Sequence, residues 1–137
     1  MPRLSLKEFN KVYSKVPRLA VDLFIRKAPD YGILLTKRAI TPFKGMWHFP
    51  GGTVLKEETI KQALKRIAKE ELGIKVKIGK LLGYYEVFSD KHDIVLVFQA
   101  EVTGGELKIN EQATDFGYFT GLPINTIPAH RRFYASI

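Results

Sequence analysis

Two adjacent glutamates, Glu70 and Glu71, lie at the end of a segment whose apolar residues recur with helical spacing. The apolar stripe consists of Ile60, Ala63, Leu64, Ile67, Ala68 and Leu72. It predicts a helix from about Thr59 to Leu72, followed by a left-handed cap at Gly73. At about 100° per residue, Glu71 projects about 40° from Ile67, near the centre of the stripe. Because a buried carboxylate costs several kcal/mol unless it is paired or bound to a cation, the pattern indicates a metal ligand at Glu71.

Two consecutive glycines, Gly51 and Gly52, precede this helix. Glycine lets the backbone approach a ligand closely, and the segment leads to the N-terminal end of the helix, where free amide groups favour phosphate. A plain tight turn is the alternative for the two glycines taken alone. Together with the helix, they indicate a phosphate-binding segment in which Gly52 contacts the substrate.

The composition is that of one globular domain with a single core. The chain has 137 residues, 45% of them hydrophobic, and no cysteine, which excludes a disulfide framework and a thiolate metal site. No apolar run reaches membrane-spanning length and no signal sequence is evident, so a cytoplasmic location without membrane association is expected. The net charge of +8 is spread along the chain. This distribution favours a phosphate-bearing small molecule, while nucleic acid stays open as a partner.

The order of helical and strand patterns predicts an α/β fold with one mixed sheet and helices on both faces, in a single domain over residues 1–137. Helices are predicted after the capping box of Ser5 and Glu8, in the segment described above, and from Pro128. Strands are expected at 19–25, 32–37, 47–50, 76–88, 94–102 and 115–119, and turns at 29–32, 89–91 and 104–105.

The segment from the glycines to the helix resembles the Nudix box, Gly-x5-Glu-x7-Arg-Glu-U-x-Glu-Glu-x-Gly-U with U apolar. The matching positions are Gly52, Glu58, Arg66, Ala68, Glu70, Glu71, Gly73 and Ile74, whereas Ile67 replaces the glutamate after the arginine. The resemblance implies the Nudix α/β/α sandwich and Mg²⁺ or Mn²⁺ held by the Gly51 carbonyl, Glu70 and Glu71. Arg66 and Glu58 would support these ligands. The alternative for Glu70 is a surface ion pair with Arg66.

Outside the box, the chain resembles the GDP-mannose mannosyl hydrolase branch of the family, which also has an apolar residue after the box arginine. This resemblance rests on Asp22, Lys37, Arg38, Trp47, residues 49–52, Glu111 and Gln112. It implies that Glu71, the Gly51 carbonyl and Gln112 hold one Mg²⁺. Arg38 and Asp22 would assist the leaving diphosphate and the sugar.

The chain departs from that branch at two positions. The catalytic histidine of the branch is Ala113 here, and the arginine after its double glycine is Thr53. The loop between the two long strands is also shorter. The general base therefore lies between two candidates, Glu70 and Glu111, the second of which is on a loop.

A structural role is the default interpretation for the histidines and for the aromatic residues. His92 is interpreted as a strand-end residue, and His48 and His130 as surface residues. Core packing is the default for Trp47 and Tyr85, although Trp47 is also a candidate for stacking on a base or sugar of the substrate.

These features predict a Mg²⁺-dependent hydrolase of a nucleoside diphosphate linked to another moiety, such as a nucleotide sugar. Two alternatives are open. One is a glycosyl hydrolase that releases the sugar from a nucleoside diphosphate, and the other is a catalytically silent module that binds nucleotide or RNA. The oligomeric state is open, with a homodimer among its outcomes.

Overall fold

The computed structural model describes residues 3–27 and 32–137, and these ranges contain three helices and seven strands. The helices are α1 (Leu6–Tyr13), α2 (Ile60–Leu72) and α3 (Pro128–Ser136). The strands are β1 (Arg18–Ile25), β2 (Ile33–Arg38), β3 (Trp47–His48), β4 (Gly51–Thr53), β5 (Ile74–Phe88), β6 (His92–Gly105) and β7 (Ala113–Phe119). Of the turn expected at 29–32, only Gly32 lies within the described residues.

The strands form two sheets. The first has the order β4-β1-β6-β5 and is mixed, because β1 runs parallel to β6 and antiparallel to β4. The second is antiparallel, with the order β3-β2-β7. The predicted α/β class with a mixed sheet is confirmed. The strands do not all join that sheet, because β2 takes β3 and β7 as its neighbours.

Strand β1 separates two parts of the core, because its successive side chains point to opposite faces. Val21, Leu23 and Ile25 pack against the apolar stripe of α2. Phe24 points to the other face and packs with Phe49 and Phe133 in a second cluster. The alternation places Asp22 on the same face as Phe24, so this carboxyl group faces the second cluster.

Helix α2 begins and ends where the sequence predicts. Thr59 is the N-cap and forms a capping box with Gln62, and Gly73 closes the helix with φ 67°. Ile67 is only 1% exposed, as expected for the centre of the apolar stripe. The helix is thereby fixed between its caps against the mixed sheet, and β5 starts directly after it.

The other two helices also start where expected. The capping box of Ser5 and Glu8 opens α1, yet none of the residues of α1 is buried. Pro128 lies in the first turn of α3, which buries Ala129, His130 and Phe133. None of the helices in residues 3–27 and 32–137 is long and apolar enough to cross a membrane.

The turn predicted at 104–105 is wrong. Gly104 and Gly105 are the last residues of β6 and pair with Lys75 and Ile74 of β5. Gly105 has φ 84°, and a Cβ atom there would overlap the Gly73 carbonyl oxygen. The glycines therefore serve a close approach of two backbones at the end of the strand pair, and the chain turns only after them.

Candidate functional site

The Glu71 side chain lies beside the backbone of β4, at the edge of the mixed sheet. A Cβ atom built on Gly52 would lie 3.2 Å from Ile67 Cδ1 and 3.6 Å from Glu71 Oε2. The Glu71 carboxylate is half-buried and accepts no hydrogen bond within the described part of the chain. Burial raises the pKa of Glu71 to about 7, and the charge of Glu70 acts in the same direction. Among the described residues, the Glu71 carboxylate therefore forms no ion pair.

The Gly51 carbonyl points away from the sheet, as the hydrogen-bond pattern between β1 and β4 shows. Bonds across this strand pair are found at Leu23 N–H to Pro50 O, 2.8 Å, and at Val54 N–H to Leu19 O, 3.1 Å. Because hydrogen-bonded and non-hydrogen-bonded pairs alternate in antiparallel strands, residues 51 and 53 direct their backbone groups outward. The Thr53 carbonyl does so, since it accepts a 2.8 Å bond from Arg66 Nη2. Gly51 therefore presents its carbonyl oxygen on the edge that α2 covers.

The Gly51 carbonyl and the Glu71 carboxylate fit a hard divalent cation such as Mg²⁺ or Mn²⁺. Both are oxygen ligands, and neither accepts a hydrogen bond from another residue within 3–27 and 32–137. Among the described residues, no group of three or more His, Cys, Asp or Glu side chains is placed to hold a metal. Mg²⁺ is usually bound through one or two carboxylates and keeps several waters or substrate phosphates as its other ligands.

Arg66 forms hydrogen bonds that connect α2 to the loop after β4. Its guanidinium donates to Glu58 through two atoms, at 2.7 Å from Nε and 3.0 Å from Nη2. Glu58 in turn accepts a 3.0 Å bond from the Leu55 N–H. The hydrogen bond from Arg66 lowers the pKa of Glu58, so this carboxylate stays charged. The pair fixes the distance between the helix and the Gly51–Thr53 strand.

Replacing Arg66 by lysine is expected to lower the free energy of unfolding by about 2 kcal/mol, because lysine cannot form the two-atom bond to Glu58 and also reach the Thr53 carbonyl. Urea unfolding of the metal-free protein measures this. Lys65→Arg, on the exposed side of the same helix, is the control and should change stability little. An Arg66→Lys protein as stable as the wild type would show that the pair does not hold the loop.

Glu70 is held by two arginines. It pairs with Arg3 and, at 3.5 Å, with Arg66, and its side chain is 44% exposed. The structure thus shows the i,i+4 pair that the sequence offered as the alternative. A role for Glu70 as metal ligand or general base stays a prediction, and it requires that these arginines release the carboxylate.

Asp22 is buried within a hydrogen-bonded chain that the sequence did not predict. The side chain is 5% exposed and accepts a hydrogen bond from the Tyr85 hydroxyl. The Tyr85 oxygen lies 2.9 Å from His130 Nε2. Burial raises the pKa of Asp22 to about 8. A lone aspartate in an apolar strand was the available signal, because such a group needs a donor, but the sequence could not say which residues supply it.

His130 is not the surface residue that the sequence suggested, whereas His48 is half-buried. His130 is 7% exposed, and its Nδ1 accepts a 3.1 Å bond from the Phe49 N–H. His48 Nδ1 lies 2.7 Å from the Phe49 carbonyl oxygen, and its Nε2 lies 3.2 Å from the Thr36 hydroxyl. Burial lowers the pKa of His48 to about 4 and that of His130 well below its ordinary value. Both rings are therefore neutral and are used for hydrogen bonding.

Replacing His48 by asparagine is expected to weaken the pH dependence of stability below pH 6.5. Since burial lowers the pKa of His48 from 6.5 to about 4, the folded state binds this proton less readily than the unfolded state. The stability that depends on neutral His48 is complete above pH 6.5 and is lost as the pH falls toward 4, by up to about 1.4 kcal/mol per pH unit. Urea unfolding of metal-free protein at several pH values tests this. Wild-type and variant curves that run parallel would contradict it.

Arg38 and Gln112 lie near the same edge of the second sheet, where Arg38 pairs with Ala113. Arg38 ends β2 at a bulge, and its Nε donates a 2.7 Å bond to the Pro42 carbonyl. The Gln112 carbonyl accepts a 3.0 Å bond from the Ala39 N–H. The side-chain amide of Asn110, two residues before Gln112, donates a 3.2 Å bond to the backbone carbonyl of Glu70. These contacts connect the end of β2 to the end of α2. Substrate binding by Arg38 and metal binding by Gln112 stay predictions.

Among the described residues, Glu111 and Trp47 are not brought together with Gly51 and Glu71. Glu111 is exposed in the turn before β7, and its side chain makes no hydrogen bond within the described residues. The Trp47 ring packs edge-on against Phe119 at 4.8 Å between centroids, in the second core cluster. His92 is the first residue of β6, which agrees with its interpretation as a strand-end residue, and its ring pairs with Glu86. A catalytic role for Glu111 and a stacking role for Trp47 stay predictions.

Comparison with known proteins identifies the family. The family model of the NUDIX domain matches residues 16–133. The chain belongs to the Nudix hydrolase family. The resemblance carried by the Nudix box is thereby confirmed, and Ile67 is a departure within a genuine member.

Relatives of this Nudix chain include two archaeal proteins. One, from Haloferax volcanii, is named Low-salt glycan biosynthesis protein Agl8; it is 36% identical over 126 residues, which cover 85% of this chain and 80% of that protein. The other, from Methanocaldococcus jannaschii, is named ADP-ribose pyrophosphatase and is 41% identical over 116 residues, or 82% of this chain and 65% of that protein.

A crystal structure of a MutT NUDIX hydrolase from Burkholderia pseudomallei has a similar fold, with a TM-score of 0.81 and 28% identity. The match covers 90% of this chain and 99% of that one. It confirms the Nudix fold predicted from the sequence.

Proposed function

We propose that this Nudix hydrolase cleaves a nucleoside diphosphate linked to another moiety, a nucleotide sugar or a similar compound, with Mg²⁺ or Mn²⁺ as cofactor. The observation that carries the proposal is the half-buried Glu71 carboxylate, without a hydrogen-bonding partner among the described residues, which lies against Gly52, the residue that follows the outward-facing carbonyl of Gly51. Glu71 and Gly51 would hold the cation, with Gln112 or Glu70 as further ligands. The bound cation would neutralise charge on the diphosphate.

The names of the two archaeal relatives support the substrate class. ADP-ribose, in the name of the Methanocaldococcus protein, is a nucleoside diphosphate linked to a sugar. The name of the Haloferax protein refers to glycan biosynthesis and so also points to a sugar. A sugar linked to a nucleoside diphosphate agrees with the sequence resemblance at Asp22, Arg38 and Gln112.

The residues around the pair suit this substrate. Arg38 supplies a positive charge near Glu71, whose pKa its charge lowers, and would bind the leaving diphosphate. Gly52 has no side chain between the β4 backbone and Glu71, so phosphate can approach closely. Arg66 and Glu58 hold the helix against β4. A role of Asp22 toward the sugar would require that its buried carboxyl group, which accepts a bond from Tyr85, becomes accessible to the substrate. A general base would come from Glu70 or Glu111.

A panel of nucleotide sugars, dinucleotides and nucleoside triphosphates, assayed with Mg²⁺, with Mn²⁺ and with a chelator, tests the proposal. Hydrolysis in ¹⁸O-labelled water shows which atom is attacked. Label in a nucleoside monophosphate or sugar phosphate supports the proposed cleavage at phosphorus, whereas label in free sugar, released with a nucleoside diphosphate, supports the glycosyl hydrolase. Nucleotide binding without any cation-dependent turnover would favour the silent module and contradict the proposal.

A further inference from the structure

Both backbone groups of Phe49 are bound by histidine side chains, one from the half-buried His48 and one from the buried His130. The Phe49 N–H donates to His130 Nδ1 at 3.1 Å, and the Phe49 carbonyl lies 2.7 Å from His48 Nδ1. These two bonds fix the tautomer of each ring. His130 accepts at Nδ1 and therefore carries its proton on Nε2, whereas His48 carries its proton on Nδ1 and donates it to the carbonyl.

The remaining ring nitrogens also have partners, so neither ring can turn freely. His130 Nε2 donates to the Tyr85 oxygen at 2.9 Å, and the Tyr85 hydroxyl donates to Asp22. His48 Nε2 accepts from the Thr36 hydroxyl at 3.2 Å. The two rings lie edge to face, with 5.9 Å between their centroids. Phe49 is thus held from two sides by side chains that are themselves anchored.

Phe49 needs these side chains because it stands where the chain leaves one sheet and enters the other. β3 ends at His48 in the antiparallel sheet, and β4 begins at Gly51 in the mixed sheet. Between them the sheet ladders give one bond, from the Leu23 N–H to the Pro50 carbonyl. Buried backbone groups must be paired, and at this crossing the two histidines supply the pairs.

The held segment leads directly to the proposed cation ligand. Gly51 follows Phe49 by two residues, and the space where its Cβ would lie is filled by Asp22 Oδ1. The same Asp22 ends the chain of hydrogen bonds from His130 through Tyr85. The backbone before Gly51 and the carboxyl group packed against it are therefore fixed by one connected network.

We propose that His48 and His130 are positioning residues that set the direction of the Gly51 carbonyl through their bonds to the Phe49 backbone. This inference rests on the proposed function, in which Gly51 ligates the cation. Neither histidine touches the cation or the substrate. Removing such supporting groups around a metal site lowers metal affinity by about 10- to 100-fold, and the same is expected here.

Mn²⁺ binding to the full chain, measured by the loss of the electron paramagnetic resonance signal of free Mn²⁺, tests the inference without relying on activity. His48→Leu and His130→Leu remove the bonds to Phe49 and are expected to weaken Mn²⁺ binding at least tenfold. His48→Asn and His130→Asn place an amide atom at the distance of Nδ1, so binding within about threefold of wild type is expected for them. If a leucine variant does not fold, the glutamine variant, whose amide lies one bond further from the backbone, takes its place with the same expected loss.

Val97→Ala is the control for lost stability. Val97 is fully buried in the second core cluster and makes no contribution to the Phe49 bonds. This variant should melt at a lower temperature and bind Mn²⁺ as the wild type does. If it weakens binding as much as the leucine variants do, or if the asparagine variants are as weak as the leucine ones, the inference is overturned.

The outcomes also separate this inference from the proposed function. Equal Mn²⁺ binding by wild type and by Glu71→Gln would show that the proposed cation site is wrong. Weaker binding by Glu71→Gln, together with wild-type binding by every folded histidine variant, would leave the cation site standing and overturn the positioning role alone.

Discussion

Glu71→Gln is expected to lower cation-dependent hydrolysis by about a thousandfold, equivalent to about 4 kcal/mol of transition-state stabilisation. The amide keeps the shape of the side chain but not the charge beside the Gly51 carbonyl. The fold should persist, because Glu71 accepts no hydrogen bond within the described residues. In the absence of metal the variant should be slightly more stable at pH 8, since burial raises the pKa of Glu71 to about 7 and ionisation above that pH opposes folding.

Steady-state rates with Mg²⁺ and Mn²⁺, and urea unfolding in a chelator, measure both effects. Glu101→Gln, which removes an exposed carboxylate from β6, is the matched control and should retain the wild-type rate. Glu70→Gln is informative as well, because it reports whether the carboxylate held by Arg3 and Arg66 takes part. An active Glu71→Gln enzyme with unchanged cation dependence would falsify the assignment of Glu71 as the ligand.

Local sequence patterns were sufficient to predict the element that carries the site. The apolar stripe and the side of the helix on which Glu71 lies follow from the 3.6-residue period, and the cap follows from the residue type of Gly73, so the bounds of α2 were predicted correctly. That Glu71 lies beside Gly52 of β4 is known only from the structure. The pair of Arg66 and Glu58 also lies within a short stretch of chain. Where the partners are near in sequence, spacing alone constrains the geometry.

The histidine network could not be predicted, because its members come from elements far apart in the chain. Asp22 lies in β1, His48 in β3, Tyr85 in β5 and His130 in α3. Each residue taken alone has an ordinary surface or core interpretation. Only the packing of α3 against the mixed sheet brings them together, with Asp22 and His130 buried, where unpaired polar groups are too costly to remain.

The division into two sheets was missed for a related reason. Strand patterns give the number of strands and the face that each buries, but not which strands pair. The crossing between the sheets at Phe49 is followed by Pro50, Gly51 and Gly52, and these residue types mark a tight turn as readily as a change of sheet. The two glycines at 104–105 led to the prediction of a turn within what is a continuous strand. A close approach of two backbones and a turn use the same residue type.

Ile67→Glu is expected to lower the free energy of unfolding by about 3 kcal/mol, the upper part of the range for single substitutions that bury an unpaired polar group. Ile67 is 1% exposed, and its Cδ1 would lie 3.2 Å from a Cβ at Gly52, so the new carboxylate enters a packed interface between α2 and β4. It also lies one turn before Glu71, whose carboxylate is already half-buried, and two like charges at this spacing repel each other. The substitution therefore restores the residue type of the Nudix box at position 67 but places its carboxylate in an unfavourable environment.

A shared cation is the one route by which this substitution could be tolerated, because Mg²⁺ between the carboxylates of residues 67 and 71 would offset their burial and repulsion. Ile67→Gln separates the two effects, since it has nearly the same shape and cannot neutralise a cation. We expect both variants to be destabilised in urea with a chelator, and added Mg²⁺ to restore neither to wild-type stability, because Ile67 is part of the core that α2 forms with β1. An Ile67→Glu protein that unfolds at the wild-type urea concentration and gains Mg²⁺-dependent pyrophosphate cleavage would contradict this. It would mean that the chain retains the framework of a box with the full set of glutamates and has lost only the side chain.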